Sequence, residues 1–328
     1  MRWRDHLTRP ATAWHAVLLL TAVSVVIRVG GDRWWFMLPV LLGPRWPWLL
    51  ALTLTIPPFA RSPRHAVVPM TLALGIAMYG VLGARLGPAR MIRGPERDVR
   101  VLALNAAGRP DAVTQLMDAM SSLGVDIAVV VECPAQSADA PKGAYEMRAH
   151  GEICVLSRLP IIRVRTHPGL GVWRPDGNDA ALIVDVAAGA ETLSIAAVHL
   201  ETPRDALEQF LGVRSALRAK SAVDSQTAVR SRESAAIRHW IRSQGKVDVV
   251  AGDFNLTVES SIYRADWSDL SNAFDHAGIG LGHTFTAKWW GVRIDHILAA
   301  PTVWVTRARV GPDLGSDHRP VVADLKIR

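Results

Sequence analysis

The chain has 328 residues, enough for a membrane segment plus one globular domain with a substantial core. Its formal net charge of +7 divides unevenly: residues 1–97 carry 12 Lys/Arg against 3 Asp/Glu, and residues 98–328 carry 25 against 27. The larger part therefore lacks the basic excess of a domain that grips nucleic acid by its phosphates, and two cysteines exclude a disulfide framework or a C-x-x-C zinc site.

Three apolar stretches occur before residue 90. The first runs from Ala11 to Ile27 and the third from Ala66 to Ala84, each near the roughly 20 residues that span a bilayer as a helix. The second, Trp34 to Ala60, is interrupted by Gly43, Pro44, Arg45 and Pro47. Trp34–Gly43 is expected at the interface, with the span proper starting near Trp46; Trp34, Trp35, Trp46 and Trp48 suit an aromatic belt. No small-residue cleavage site follows the first stretch, which favours an anchor over a signal peptide. Arg2, Arg4 and Arg9 before the first span, with Arg61, Arg64 and His65 between the second and third, place residues 88–328 outside the cytoplasm under the positive-inside rule. Arg85, Arg90, Arg93 and Arg97 argue the other way. The expected organisation is a membrane anchor over 1–87 with about three transmembrane helices, an Arg/Pro/Gly-rich linker over 88–97, and one domain over 98–328.

From Val99 the pattern becomes short β-rich runs between helical stretches. Strands are expected at Val99–Leu104, Asp126–Val131, Ile153–Leu156, Ile161–Arg165, Ala181–Val186, Leu193–Val198, Val247–Ala251, Ile294–Ala299, Val303–Val310 and Pro320–Ile327. Helices are expected at Asp111–Leu123, Arg204–Ala222 and Ala228–Ser243. This is a mixed α/β layered domain. Cys133 and Cys154 each sit in an apolar run that reads as a buried strand, and two reduced core thiols are expected.

The polar residues of interest stand where these strands end, the place where open α/β sheets bind ligands. Asn105 ends the first strand, Glu132 the second, and His199 follows Leu-Ser-Ile-Ala-Ala-Val. Asp253 and Asn255 follow Val-Asp-Val-Val-Ala-Gly; two residues apart on a strand, they can share one site. Asp295 lies in Arg-Ile-Asp-His-Ile-Leu, and Asp317 and His318 lie just before the last strand. Taken singly, each has an ordinary structural role: a cap, a surface carboxylate, a satisfied histidine. Their recurrence at six strand ends is what points to a hard divalent cation with oxygen ligands and a phosphate.

The motifs Leu-Asn105, Val-Val-Glu132, Leu-Ser157-Arg158-Leu-Pro-Ile, Val-His199-Leu, Gly-Asp253-Phe-Asn255, Arg-Ile-Asp295-His-Ile-Leu and Ser316-Asp317-His318-Arg-Pro-Val occur in this order. Over residues 98–328 they resemble the endonuclease/exonuclease/phosphatase superfamily. That group includes apurinic endonucleases, pancreatic-type deoxyribonuclease, neutral sphingomyelinases and inositol-polyphosphate phosphatases, and the N-terminal stretches resemble its membrane-anchored bacterial branch. The resemblance implies a four-layer α/β sandwich of two packed sheets and a Mg²⁺ (or Mn²⁺) cofactor. It implies Glu132, Asn105 and Asp317 as metal residues, and Asp253 as the residue that orients or deprotonates the attacking water. Asn255 would hold that water or a phosphoryl oxygen. His318, held by Asp295, would contact the phosphate, and His199 would bind another phosphoryl oxygen or assist the leaving group. Arg158 is a candidate substrate contact, with an exposed structural Arg as its ordinary reading. Glu152 is a candidate carboxylate for His199 whose register fits poorly. Trp289 and Trp290 are a candidate apolar lip, with plain packing the favoured reading.

The function expected is a membrane-anchored phosphoesterase acting on a phosphodiester, phosphomonoester or pyrophosphate, on a lipid-linked or extracytoplasmic substrate at a bacterial cell membrane. A metal-dependent nuclease is the alternative, disfavoured by charge. A catalytically inactive tethered binding module is the third reading. Oligomeric state is not legible in the sequence.

Overall fold

A computed structural model of the chain describes residues 10–91, 96–134, 144–167, 181–212 and 216–327. Arg2, Arg4, Arg9 and Arg93, used above for orientation, lie outside these. Two compact units divide the chain: Met1–Arg85 with Glu259–Ser261, and Leu86–Val258 with Ile262–Arg328.

In the N-terminal unit, Ala11–Arg33 and Pro63–Val81 are helical, long and apolar enough to cross a membrane. Between them lie two apolar helical pieces, Trp35–Leu42 and Trp46–Arg61, bent by 83° at the break. The break has a local cause. Gly43 is extended, as the residue before a proline prefers, and Pro44 and Pro47 have no N–H to continue a helix. By length and composition there are, among the described residues, two candidate spans, or three if the bent pair counts as one.

The second unit is built on two six-stranded sheets. The first contains β1 (Val99–Asn105), β2 (Ile127–Val131), β3 (Glu146–His150), β4 (Ile153–Ser157), β13 (Val303–Val310) and β14 (Val321–Ile327), in the order β13-β14-β1-β2-β4-β3. The second contains β5 (Ile161–Thr166), β6 (Ala181–Ala188), β7 (Glu191–His199), β8 (Val249–Asp253), β9 (Ser271–Asn272) and β12 (Asp295–Ala299), in the order β9-β12-β8-β7-β6-β5. A separate hairpin pairs β10 (Phe285–Ala287) with β11 (Trp290–Val292). Each large sheet holds one parallel pair among antiparallel ones, β1 with β2 and β7 with β8.

Alternation along the strands sets the layers. Val99, Val101 and Ala103 of β1 pack with Ile127, Val129 and Val131 of β2 against Ile195, Ala197, Val249, Ala251 and Ile297 of the other sheet. Leu102, Leu104, Ala128 and Val130 face the opposite way, onto Val113, Leu116 and Met120 of helix α1 (Pro110–Leu123). Likewise Ala196, Val198 and Val250 turn outward onto Ile237 and Ile241 of the long helix Ala216–Ser243. Helix, sheet, sheet and helix make the expected four layers, and the central strands are apolar on both faces because both faces are covered.

Three expectations are corrected. The helices expected at Arg204–Ala222 and Ala228–Ser243 are instead Arg204–Gly212 and Ala216–Ser243. The polar stretch around Asp224 contains no Gly or Pro and continues the helix, with an exposed i,i+4 pair between Lys220 and Asp224. Strand β3 was not anticipated. Its sequence Glu-Met-Arg-Ala-His is half polar because it is an edge strand bonded on one side only. Finally, Cys133 and Cys154 are not reduced thiols but a disulfide, with Cα atoms 5.9 Å apart. Antiparallel pairing of β2 with β4 sets Val130 opposite Cys154, and the Cys133 N–H donates to the Glu152 carbonyl at 2.8 Å just beyond. The two side chains thus fall in the same buried cluster.

Candidate active site

The two parallel pairs deliver the site. Asn105 is the last residue of β1 and sits level with Val131, so Glu132 follows directly beyond it on β2. In the other sheet His199 ends β7 level with Asp253, which ends β8. Asp253 is in turn opposite Asp295, the first residue of β12. Carboxyl ends of parallel strands collect side chains from different parts of the chain at one rim.

Gly252 explains why the residue before Asp253 carries no side chain. It has φ +141°, and a Cβ there would lie 2.0 Å from the Val198 carbonyl oxygen of β7. Only glycine lets β8 approach β7 this closely. Two non-glycine residues of the site adopt left-handed backbone, Glu132 (φ 47°) and Asn255 (φ 50°). Such conformations cost of order 1–3 kcal/mol each and persist where surroundings hold them.

Asp253 is buried. Its Oδ1 accepts from the Asn255 backbone N–H at 2.8 Å and its Oδ2 from Asn105 Nδ2 at 3.0 Å. Burial, and next the charge of Asp295, push its carboxyl above the usual range. Asn105 Nδ2 also donates to Glu132 Oε1 at 2.8 Å, so this amide links the buried aspartate to the half-buried glutamate. Asn105 Oδ1 accepts from the Ala107 N–H at 2.8 Å and retains a second lone pair. Asn255 Nδ2 is spent on the Leu200 carbonyl at 2.9 Å, which fixes the turn that carries Asp253.

Two imidazole–carboxylate pairs flank this floor. His318 Nδ1 lies 2.8 Å from Asp295 Oδ2, both buried. Burial alone would lower the pKa of this imidazole. The charge of Asp295 and its hydrogen bond, helped by Asp253 and Asp317, push it up to about 10. His318 is therefore an imidazolium near neutral pH. Phe285 of the hairpin packs against its ring, with centroids 5.2 Å apart. On the other side, His199 Nδ1 is bonded to Glu152, while its Nε2 lies 3.6 Å from Glu132 Oε1. Ser316 Oγ donates to the Asn105 carbonyl at 2.8 Å and holds the segment that carries Asp317, which is half-buried, at the end of β1.

The structure thus brings Asn105, Glu132, His199, Asp253, Asn255, Asp295 and His318 together, with Asp317 beside them. It pairs the candidate Glu152 with His199. Glu152 lies in the turn between β3 and β4, and its register relative to Ser157-Arg158 makes it a poor fit in the sequence alone. It sets Arg158 apart: the guanidinium pairs with Asp126, before the start of β2, while the site lies after its end. Trp289 stands exposed at the turn of the hairpin, and Trp290 packs on Phe285 at 6.0 Å.

Could these residues hold a cation? Asp253, Asp295 and His318 each offer an atom within 4.8 Å of the others. Asp295 Oδ1 is buried without a hydrogen-bond partner among the described residues. The wider donor set is oxygen-rich, from Glu132, Asn105, Asp317, Asp253 and Asp295, with carboxylates in excess of cationic rings. That chemistry fits a hard divalent cation.

Comparisons with known proteins agree with the layers. The sequence profile described as Endonuclease/Exonuclease/phosphatase family matches residues 99–318. No curated protein matches the chain. Among solved structures, a family protein from Bacteroides thetaiotaomicron superposes with a TM-score of 0.52 at 16% identity, covering 70% of this chain and 98% of its own. A 3'-5' exonuclease from Neisseria meningitidis gives 0.51 at 17% identity, over 69% of this chain and 99% of its own. A mannosyl-6-phosphatase from Bacteroides thetaiotaomicron gives 0.51 at 15%, over 70% and 100%. At these identities the likeness is one of fold. The profile match, in contrast, runs from the first residue of β1 to His318 and takes in both imidazole–carboxylate pairs, so this chain belongs to the Endonuclease/Exonuclease/phosphatase family of hydrolases.

Proposed function

We propose that the chain is a membrane-anchored, divalent-metal-dependent phosphoesterase that cleaves a phosphodiester, phosphomonoester or pyrophosphate on a lipid-linked or extracytoplasmic substrate. The observation that carries the reading is the convergence of one buried aspartate and two oriented imidazoles at the ends of β1, β2, β7 and β8.

Asp253, with its carboxyl pushed upward by burial, is a better proton acceptor than an ordinary aspartate and is suited to act as the base for an attacking water. Asn255 and Asn105 hold that carboxylate in one orientation. His318, kept cationic by Asp295, offers its free ring N–H to a phosphoryl oxygen and stabilises charge that grows there. His199, oriented by Glu152, serves a second oxygen or the leaving group from the Glu132 side. Mg²⁺ or Mn²⁺ held by Glu132, Asn105 and Asp317 would supply charge neutralisation for an in-line displacement. Tethering through Ala11–Arg33 and Pro63–Val81 would raise the local concentration of lipid-borne head groups. The carboxylate excess of residues 98–328 supports a lipid or small-molecule ester over a nucleic acid.

The test is an activity panel on the full chain in detergent. A bis-aryl phosphodiester, an aryl monoester, DNA and a lipid pyrophosphate are each offered with Mg²⁺, Mn²⁺ or chelator. Turnover that chelator and Glu132→Ala both abolish is expected, with the lipid substrate preferred. Salt-sensitive cleavage of DNA alone would replace this reading with a nuclease, and no turnover by a folded, metal-binding chain would favour a binding module.

A further inference from the structure

The disulfide joins the two backbone segments that carry the acidic residues around His199. Cys133 directly follows Glu132, and Cys154 comes two residues after Glu152. Both carboxylates reach the same ring: Glu152 is bonded to His199 Nδ1, and Glu132 Oε1 lies 3.6 Å from Nε2. The cystine itself points away from the site, into the apolar cluster beneath α1 with Val130 and Leu156.

Glu132 needs a clamp more than its neighbours do. Its φ of 47° lies in the left-handed region, which a glutamate adopts only where surroundings enforce it. Three backbone hydrogen bonds bracket it. The Ala106 N–H donates to the Val131 carbonyl at 2.9 Å, the Gly108 N–H to the Glu132 carbonyl at 3.0 Å, and the Cys133 N–H to the Glu152 carbonyl at 2.8 Å. The first two tie Glu132 to the segment after β1. Only the third, among those three, ties it to Glu152, and it spans the point where regular pairing of β2 with β4 has stopped at Val130 and Cys154. The disulfide lies at that same point and makes the tie covalent.

We propose that Cys133–Cys154 is a positioning pair: it holds Glu132 in its left-handed conformation at a fixed distance from Glu152, and so sets the metal carboxylate and the His199 orientation together. The proposal rests on the reading of Glu132 as a metal residue. A clamp of this kind makes a well-formed site a property of the oxidised chain, and therefore of an oxidising compartment. Opening it takes two electrons and two protons from an added dithiol, which leaves as its own disulfide, while Cys133 and Cys154 become thiols.

The experiment compares oxidised full-length chain in detergent with chain reduced by a dithiol and with the Cys133→Ser/Cys154→Ser double variant. Thiol titration and far-UV circular dichroism check each state. The readout is the Mn²⁺ or Mg²⁺ concentration that gives half of the maximal thermal stabilisation, which requires no substrate. Reduction is expected to raise that midpoint on the order of tenfold with the circular dichroism spectrum retained, the size typical for loss of an outer partner of a metal ligand. The double variant is expected to match the reduced chain. An unchanged midpoint in folded, fully reduced chain overturns the proposal. So does loss of the fold in both the reduced chain and the double variant, because the cystine would then hold the domain and not the site. A chain that binds metal with a redox-dependent midpoint but hydrolyses no ester would retain the clamp and discard the phosphoesterase reading, which separates the two failures.

Discussion

His318–Asp295 and His199–Glu152 have the same chemistry in different surroundings. Asp295 and His318 side chains are 1% and 7% exposed; Asp295 begins β12 of the second sheet, and His318 stands just before β14 of the first. Glu152 is 20% exposed, stands on a turn of the first sheet, and reaches across to the end of β7 in the second. The difference is one of dielectric. An ion pair sheltered from water interacts several-fold more strongly than one at a rim, and costs far more when one partner is removed. The inner pair sets charge; the outer pair sets orientation.

That contrast ranks the substitutions. Asp295→Asn removes the charge that holds the His318 ring cationic, while burial continues to oppose that charge. Loss of kcat by roughly 10²–10⁴-fold is expected, measured on whichever ester the panel identifies. The loss should be largest at high pH, because the ring then deprotonates within the working range. Glu152→Gln keeps a hydrogen-bonding group beside His199 and removes a partly screened charge, so a loss of only about tenfold is expected. Equal losses in the two variants would show that exposure does not distinguish the pairs.

Stability should separate them as well. In chelator, His318 has an ordinary value of 6.5 when unfolded and about 10 when folded. The pair's contribution is therefore complete below pH 6.5, and it drains away as pH rises toward 10. The melting temperature of the metal-free chain should fall across that window. Asp295→Asn should flatten this slope.

How much of this was legible follows the same division. Asp295 and His318 could be named because each stands in a short motif at the edge of an apolar strand, and residue order alone puts them at a rim. Asp253 could be named for the same reason. Glu152 could not be fixed, because its place depends on β3, an edge strand whose composition hides it. The disulfide escaped for a related reason. Cys133 and Cys154 read as core residues, which they are, but their meeting depends on antiparallel register between β2 and β4. Registers between strands are tertiary facts, and a sequence pattern records only which face a residue turns.

Arg158 shows where such patterns mislead, and its substitution should have the smallest effect. It lies in the Ser-Arg-Leu-Pro run at the end of β4, and a motif at a strand end invites a role in the site. But β4 runs antiparallel to β2, so its end lies at β2's beginning: Ile127 faces Ser157, and the Arg158 N–H donates to the Asp126 carbonyl at 3.0 Å. Glu132 lies six residues further along, roughly 20 Å at about 3.3 Å per strand residue. No side chain bridges that distance to contact the same phosphate. The Arg158 side chain is 47% exposed and paired with Asp126, which also accepts from the Arg100 N–H at 2.6 Å. Asp126 itself is buried, but it keeps the Arg100 N–H when the half-exposed guanidinium is removed, so the loss is expected to stay at about 1 kcal/mol. Arg158→Ala should therefore leave kcat and KM within about twofold and lower the melting temperature by no more than a few degrees. A KM raised tenfold with kcat unchanged would instead mean that substrate extends along the sheet to the far end of β2.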